Sequence, residues 1–136
     1  MTPEQLDNWF SYHAPTEETA PKYRAIRDAA DAVTANVTMT HYEVGGDVKA
    51  QYDEINRATR RFAEVIDANA PDSADKTAAI RCVRLARNLF NEWATEMSKP
   101  KDRQTWTDPR VLFIHAEVEL LKARMQANSA VACGGL

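Results

Sequence analysis

Apolar side chains in this chain return at every third or fourth position, and prolines cut that rhythm into separate stretches. Tyr23, Ile26, Ala30, Val33 and Val37 keep the spacing, as do Tyr52, Ile55, Thr59, Phe62 and Ile66. Ile80, Val83, Ala86, Phe90, Trp93 and Met97 form a third set, and Leu112, His115, Val118, Leu121 and Met125 a fourth. Residues so spaced share one face of an α-helix. The pattern therefore predicts an all-α fold, and the long apolar stripe of Leu112, Val118, Leu121 and Met125 on the last helix, more than a thin hairpin covers alone, predicts a homo-oligomer. The aromatics Trp9, Phe10, Phe62, Phe90 and Trp93 read as core residues.

The punctuation is equally legible. Thr2-Pro3-Glu4 reads as a helix start with proline at the first helical position, and Leu6, Trp9 and Phe10 share one face of that helix. Pro15 stops the chain, because the residue before proline avoids the helical region. Thr19-Ala20-Pro21 starts a second helix. Residues 37–47 are β-branched and aromatic before Gly45-Gly46-Asp47, which predicts a loop or a short extended segment there. Ala70-Pro71-Asp72-Ser73 is a turn in which Asp72 or Ser73 caps the next helix, so residues 61–90 form a helical hairpin. Lys99-Pro100-Lys101-Asp102 is a polar linker, Asp108-Pro109 opens the last helix, and Cys133-Gly134-Gly135 ends it. Tyr23–Arg27 and Tyr52–Asn56 look alike at two helically spaced positions, too little to define a repeat.

A chain of 136 residues fits a single domain, 1–136, able to bury a real core. No apolar run approaches the roughly 18 residues of a membrane span, and Met1-Thr2-Pro3-Glu4-Gln5 lacks the opening of a signal peptide. Cys82 and Cys133 form no motif, which fits free thiols in a reducing compartment. The expectation is a cytoplasmic protein with no membrane partner. A net charge of −3 argues against DNA or RNA binding, which calls for a broad basic face. The charge is uneven, however: residues 57–87 sum to +3 and the first 31 to −3. A basic zone in an acidic protein suits a small anion, although arginines such as Arg57, Arg60, Arg61, Arg81, Arg84 and Arg87 also serve simply to solvate helix faces.

Catalytic constellations are not evident. His115-Ala116-Glu117 matches half of a zinc-deaminase signature, but the two further thiolates that would hold the metal cannot be supplied. His115 reads instead as a histidine at the core edge. His13, His41 and His115 are far apart, with no Glu-x-x-His pair. Neither Gly-x-Ser-x-Gly nor a glycine-rich phosphate loop is present. The expectation is a binding protein without metal, cofactor or catalytic residue. Phe10-Ser11-Tyr12-His13-Ala14-Pro15 is an elbow just ahead of the helix carrying Arg24 and Arg27. Tyrosine offers a flat face for stacking and arginine a planar fork for phosphate. Together they suit a ligand that is part base and part phosphate.

That elbow, followed by Tyr23-x-x-Ile26-Arg27, resembles the start of the phage anti-CBASS cyclic-oligonucleotide sponges. These are related through a shared helical hairpin to the Thoeris anti-defence sponges. Phe62–Ile66 with Pro71–Arg81 looks like that hairpin and its turn, and Met125–Cys133 like the closing segment. The similar blocks, about 1–30, 61–88 and 122–136, cover half the chain. Family members are much shorter, so residues 31–60 and 89–121 look like two inserted arms on the antiparallel hairpin. The resemblance implies a homo-oligomer, hexameric in the type members, that sequesters cyclic di- or trinucleotide signals, or cyclic ADP-ribose type signals, in the host cytoplasm without cleaving them. It implies a stacking role for Tyr12, a phosphate role for Arg27, and a place beside the ligand for His13. The alternative is a small helical adaptor that binds another protein through an apolar face.

Overall fold

A computed structural model describes residues 1–39 and 47–135. These form five α-helices, α1 (Pro3–Phe10), α2 (Ala20–Met39), α3 (Val48–Asn69), α4 (Ala74–Met97) and α5 (Arg110–Ala132), with a 3-10 turn at Lys101–Arg103 and no strand among the described residues. The loop expected from Val37 begins later than the sequence indicates. Val37 is fully buried and α2 continues through Met39. The remainder of that expected loop, with His41 and Gly45-Gly46, lies outside the described residues.

Helices α2 to α5 pack as a four-helix bundle in which α2 touches α3 and α5, and α4 touches α3 and α5. The order is up-down-up-down, fixed by contacts at both ends. At one end Tyr52 in the first turns of α3 bonds Thr95 near the end of α4, and Ser98 Oγ donates to Gln51 Oε1 at 3.4 Å. At the other end α5 terminates against the α3–α4 turn. Gly135 has a φ of +87°, and a Cβ there would stand 3.2 Å from the Asp72 carbonyl, so only glycine fits this approach without strain. Each boundary has a local cause. Thr2 and Gln5 form a reciprocal capping box on α1. Thr16 and Thr19 exchange backbone-to-hydroxyl bonds of 2.8 and 3.1 Å just before α2. Ser73, not Asp72, caps α4 by accepting from the Lys76 N–H at 3.1 Å. Asp72 instead joins Asp67 in holding the largely buried Lys76 ammonium, at 2.9 and 3.0 Å, which clamps the turn.

The core is one cluster running the length of the bundle, from Ala70, Ala79 and Ala130 at one end to Val37 and Ala94 at the other. Residues 31–39 and 48–60 continue α2 and α3, while 89–97 and 110–121 continue α4 and α5. Those segments therefore contribute Val33, Val37, Ile55, Phe90 and Ala116 to the same core. Phe62 and Phe90 are fully buried, as the spacing predicts. Phe90 and Trp93 meet the ring of Phe113 edge-on, at centroid distances of 5.2 and 4.8 Å.

Three sequence-based expectations are corrected. Trp9 and Phe10 are not core: they are 41 and 84 % exposed. The four long helices close their own core, and the eight-residue α1 buries none of its side chains. The residues read as one stripe on α5 do not all share a face. Leu112 is buried, but His115, Val118, Leu121 and Met125 face outward. The inward face is built from Ala116, Leu120, Ala123, Ala127 and Ala130. Those small residues meet Ala79, Val83, Ala86 and Ala94 of α4, and small side chains let two helix backbones approach closely. His115 is accordingly exposed rather than at the core edge.

Candidate functional site

The elbow between α1 and α2 is ordered by its own polar side chains. Ser11 leaves α1 in extended backbone, with φ −88° and ψ 150°. In extended chain, alternate side chains point to opposite sides, and the bonding follows that alternation. The Ser11 hydroxyl donates to the Asp7 carbonyl, and His13 Nε2 lies 2.7 Å from the Asn8 carbonyl. Both neighbours of Tyr12 thus turn back onto the last turns of α1. Tyr12 itself is 88 % exposed, more than any other large hydrophobic side chain among the described residues. His13 is half-buried, with one ring nitrogen committed to this contact. Its position fits holding Tyr12 outward.

Arg24 and Arg27 lie one turn apart on the outer side of α2, opposite the buried Ile26, Ala30 and Val33. Arg24 makes no ion pair or hydrogen bond among the described residues, and Arg27 touches only its chain neighbour Asp28, Nε to Oδ1 at 3.2 Å. Both partners of that pair are about half exposed or more, so it contributes little and is readily exchanged. Either fork is thus available to an anion. No hydrogen bond joins Tyr12 to either arginine among the described residues. The structure brings the two arginines together and leaves Tyr12 as a separate feature.

A cavity of about 480 Å³ opens at the same end of the bundle, lined by Thr19 just before α2 and Lys22 in its first turn, by Asn69 at the end of α3 and Pro71 after it, and by Val131 and Gly134 at the end of α5. The Asn8 carbonyl, which receives His13, also lies 4.0 Å from Cys133 Sγ, which sets the elbow near this end. None of Tyr12, His13, Arg24 or Arg27 lines the cavity. Its cation is Lys22, whose ion pair with Glu18 is long at 3.9 Å. Sequence reading passed over Lys22, and the signal for it was its place one residue after the helix-opening Pro21.

The remaining reactive side chains are quiet. Burial pushes the Cys82 thiol up, helped by Glu119, and burial with Asp75 does the same to Cys133. Both stay protonated at neutral pH, and a thiol is a far weaker nucleophile than a thiolate. No group of three His, Cys, Asp or Glu side chains able to hold a metal occurs among the described residues. No helix among them is long and apolar enough to cross a membrane. Among known proteins, no family model, no curated protein and no solved structure matches this chain.

Proposed function

We propose that this protein binds and sequesters a cyclic oligonucleotide signal without cleaving it, as a homo-oligomer in the cytoplasm of a phage-infected host. The observation that carries the reading is the display of Tyr12 by side chains that bond away from it. A tyrosine held almost wholly in water, between two residues tied to α1, costs the fold exposed apolar surface and gives a base a rigid platform. Arg24 and Arg27 supply free forks for phosphate on the next helix. The sequence resemblance to anti-CBASS sponges assigns the same roles to Tyr12 and Arg27, with His13 beside the ligand. Cyclic trinucleotides and cyclic ADP-ribose type signals belong to the same candidate class.

The test is titration of the protein with a panel of cyclic di- and trinucleotides and cyclic ADP-ribose isomers. Tyr12→Ala should lower affinity for the bound member at least tenfold, in line with about 1–3 kcal/mol per stacked base. Circular dichroism should stay native, since Tyr12 contributes nothing to the core. Arg27→Ala should weaken binding as well, and wild-type affinity should fall as salt rises. Unchanged affinity in a natively folded Tyr12→Ala protein would remove the stacking role.

Sequestration and turnover are separated by recovering the ligand. After incubation, the protein is denatured and the released nucleotide analysed. Intact ligand in stoichiometric amount is expected. Linearised product in many turnovers per protomer would make this protein an enzyme. The second reading, an adaptor for another protein, draws on the exposed Leu6, Trp9 and Phe10 of α1. It gains weight if no member of the panel binds.

A further inference from the structure

Each arginine of α3 finds an acid one turn away. Arg57 pairs with Glu54 at 2.6 Å, Arg60 with Glu64 at 3.1 Å, and Arg61 with Glu64 at 4.0 Å. Helix α4 breaks the rule. Arg81, Arg84 and Arg87 stand one turn apart, and no acidic residue occurs between Asp75 and Glu92. Like charges at this spacing repel and destabilise a helix. Arg84 makes no ion pair or hydrogen bond among the described residues, and Arg87 reaches only the neighbouring Asn88 Oδ1, at 3.0 and 3.3 Å. A merely solvated face has no need of this arrangement.

The shape of the surface gives it a purpose. Arg84 and Arg87 border a groove of about 380 Å³ between α3 and α4, and Arg60 faces them from α3. That volume lies within the range of small-ligand sites. The floor is apolar, made by Ala63, Ile80 and Val83. At one end Asn91 Nδ2 donates to Asn56 Oδ1 at 3.4 Å, which occupies the acceptor of Asn56 and leaves its amide N–H groups to donate into the groove. Three guanidinium forks and an amide donor around an apolar floor form a receptor for an anion. Among the described residues, the exposed Glu64 on Arg60 is the one acid paired with these arginines.

We propose that this groove is a second binding site, separate from the Tyr12 elbow, for a small phosphorylated ligand carrying two phosphates. Three forks, each able to grip two phosphate oxygens, call for about six acceptor oxygens, whereas one phosphate monoester offers three, so two phosphates match the forks. Each fork can take phosphate oxygens bidentately, which an ammonium cannot. The groove is too short for a polymer and holds no aromatic platform for unpaired bases. Polyanion binding is therefore not its use. The elbow and the groove draw on different helices and fail independently.

The experiment titrates the intact protein with inorganic pyrophosphate at low salt, by calorimetry and by NMR of the arginine side chains. Saturable binding is expected, with the largest shifts at Arg84 and Arg87. Arg84→Ala and Arg87→Ala should each weaken it at least tenfold, with native circular dichroism, since both side chains lie outside the core. Arg84→Lys should recover only part of the loss. Arg57→Ala, on the same helix as Arg60 but outside the groove, should leave affinity unchanged, and so should Tyr12→Ala. Absence of saturable binding overturns the proposal. So does equal loss in Arg57→Ala and Arg84→Ala, which would mean diffuse attraction to a basic face, or binding that survives Arg84→Ala.

Discussion

Glu96→Ala should destabilise the bundle by about 2–4 kcal/mol, more than any surface charge in the chain, because one carboxylate organises the whole connection from α4 to α5. Glu96 is 1 % exposed. Its Oε1 accepts from Lys99 Nζ at 2.9 Å, and its Oε2 accepts from the backbone N–H groups of Thr105 at 2.8 Å and Trp106 at 3.2 Å. The Glu96 carbonyl also receives the Gln104 side-chain amide at 3.0 Å. Removing the carboxylate orphans two partly buried N–H groups, each costing about 1 kcal/mol or somewhat more, and strands Lys99. Glu96→Gln keeps one acceptor and should cost less. Urea denaturation of the three proteins gives the comparison, and a Glu96→Ala loss below about 1 kcal/mol would contradict it.

The same carboxylate contributes to the acid limb of stability. Burial pushes its pKa up, but the bonds from Lys99 and from the N–H groups of Trp106 and Thr105 outweigh that and hold it below the usual glutamate value. A folded-state value below the unfolded one means the group binds its proton more readily in the unfolded chain. Its contribution is thus fully present above the unfolded value and is lost as pH falls through the folded one. Glu96→Gln, which cannot titrate, should flatten that part of the curve.

Much of this architecture is readable from residue order, and the misses share a cause. In α2 and α3, branched and aromatic residues mark the inward face and the outward face is polar or small, so spacing assigns Ile26, Val33, Ile55, Phe62 and Ile66 correctly. In α5 both faces are apolar, and size misleads: the larger Val118, Leu121 and Met125 point outward because the α4 contact needs alanine. The α4–α5 connection reads as a polar linker because its organiser lies on the helix before it. One sign was visible, since Glu96 follows Leu89 and Trp93 at helical spacing, where a third apolar residue is expected. At the elbow, Pro15 and the aromatic-histidine run mark Tyr12 as an exposed feature. The facing of Arg60 toward Arg84 and Arg87 depends on how α3 and α4 are rotated against each other, which spacing within one helix does not define.

The outward face of α5 leads to the other large effect: dilution should dissociate the wild-type protein from oligomer to monomer, and Val118→Glu with Leu121→Glu should raise the dissociation constant at least a hundredfold. Ile114, Val118, Leu121 and Met125 are each between 44 and 59 % exposed. Their separations of four, three and four residues are those of a coiled-coil seam. A helix apolar on both faces calls for burial on both, and the bundle supplies only one. A second copy placed antiparallel sets Val118 opposite Leu121 of the partner subunit and Ile114 opposite Met125 of the partner subunit. That placement would bring Glu117 beside Arg124 of the partner subunit, so that charge would support the apolar pattern. By two-fold symmetry every substitution acts twice, and two glutamates would place four carboxylates in the seam. The fold should survive, because the core-facing Ala116, Leu120, Ala123 and Ala127 are untouched. Light scattering over a wide concentration range reads the result. A wild-type mass that stays monomeric throughout, or a variant that associates as the wild type does, would show that this face is not where copies of the chain associate.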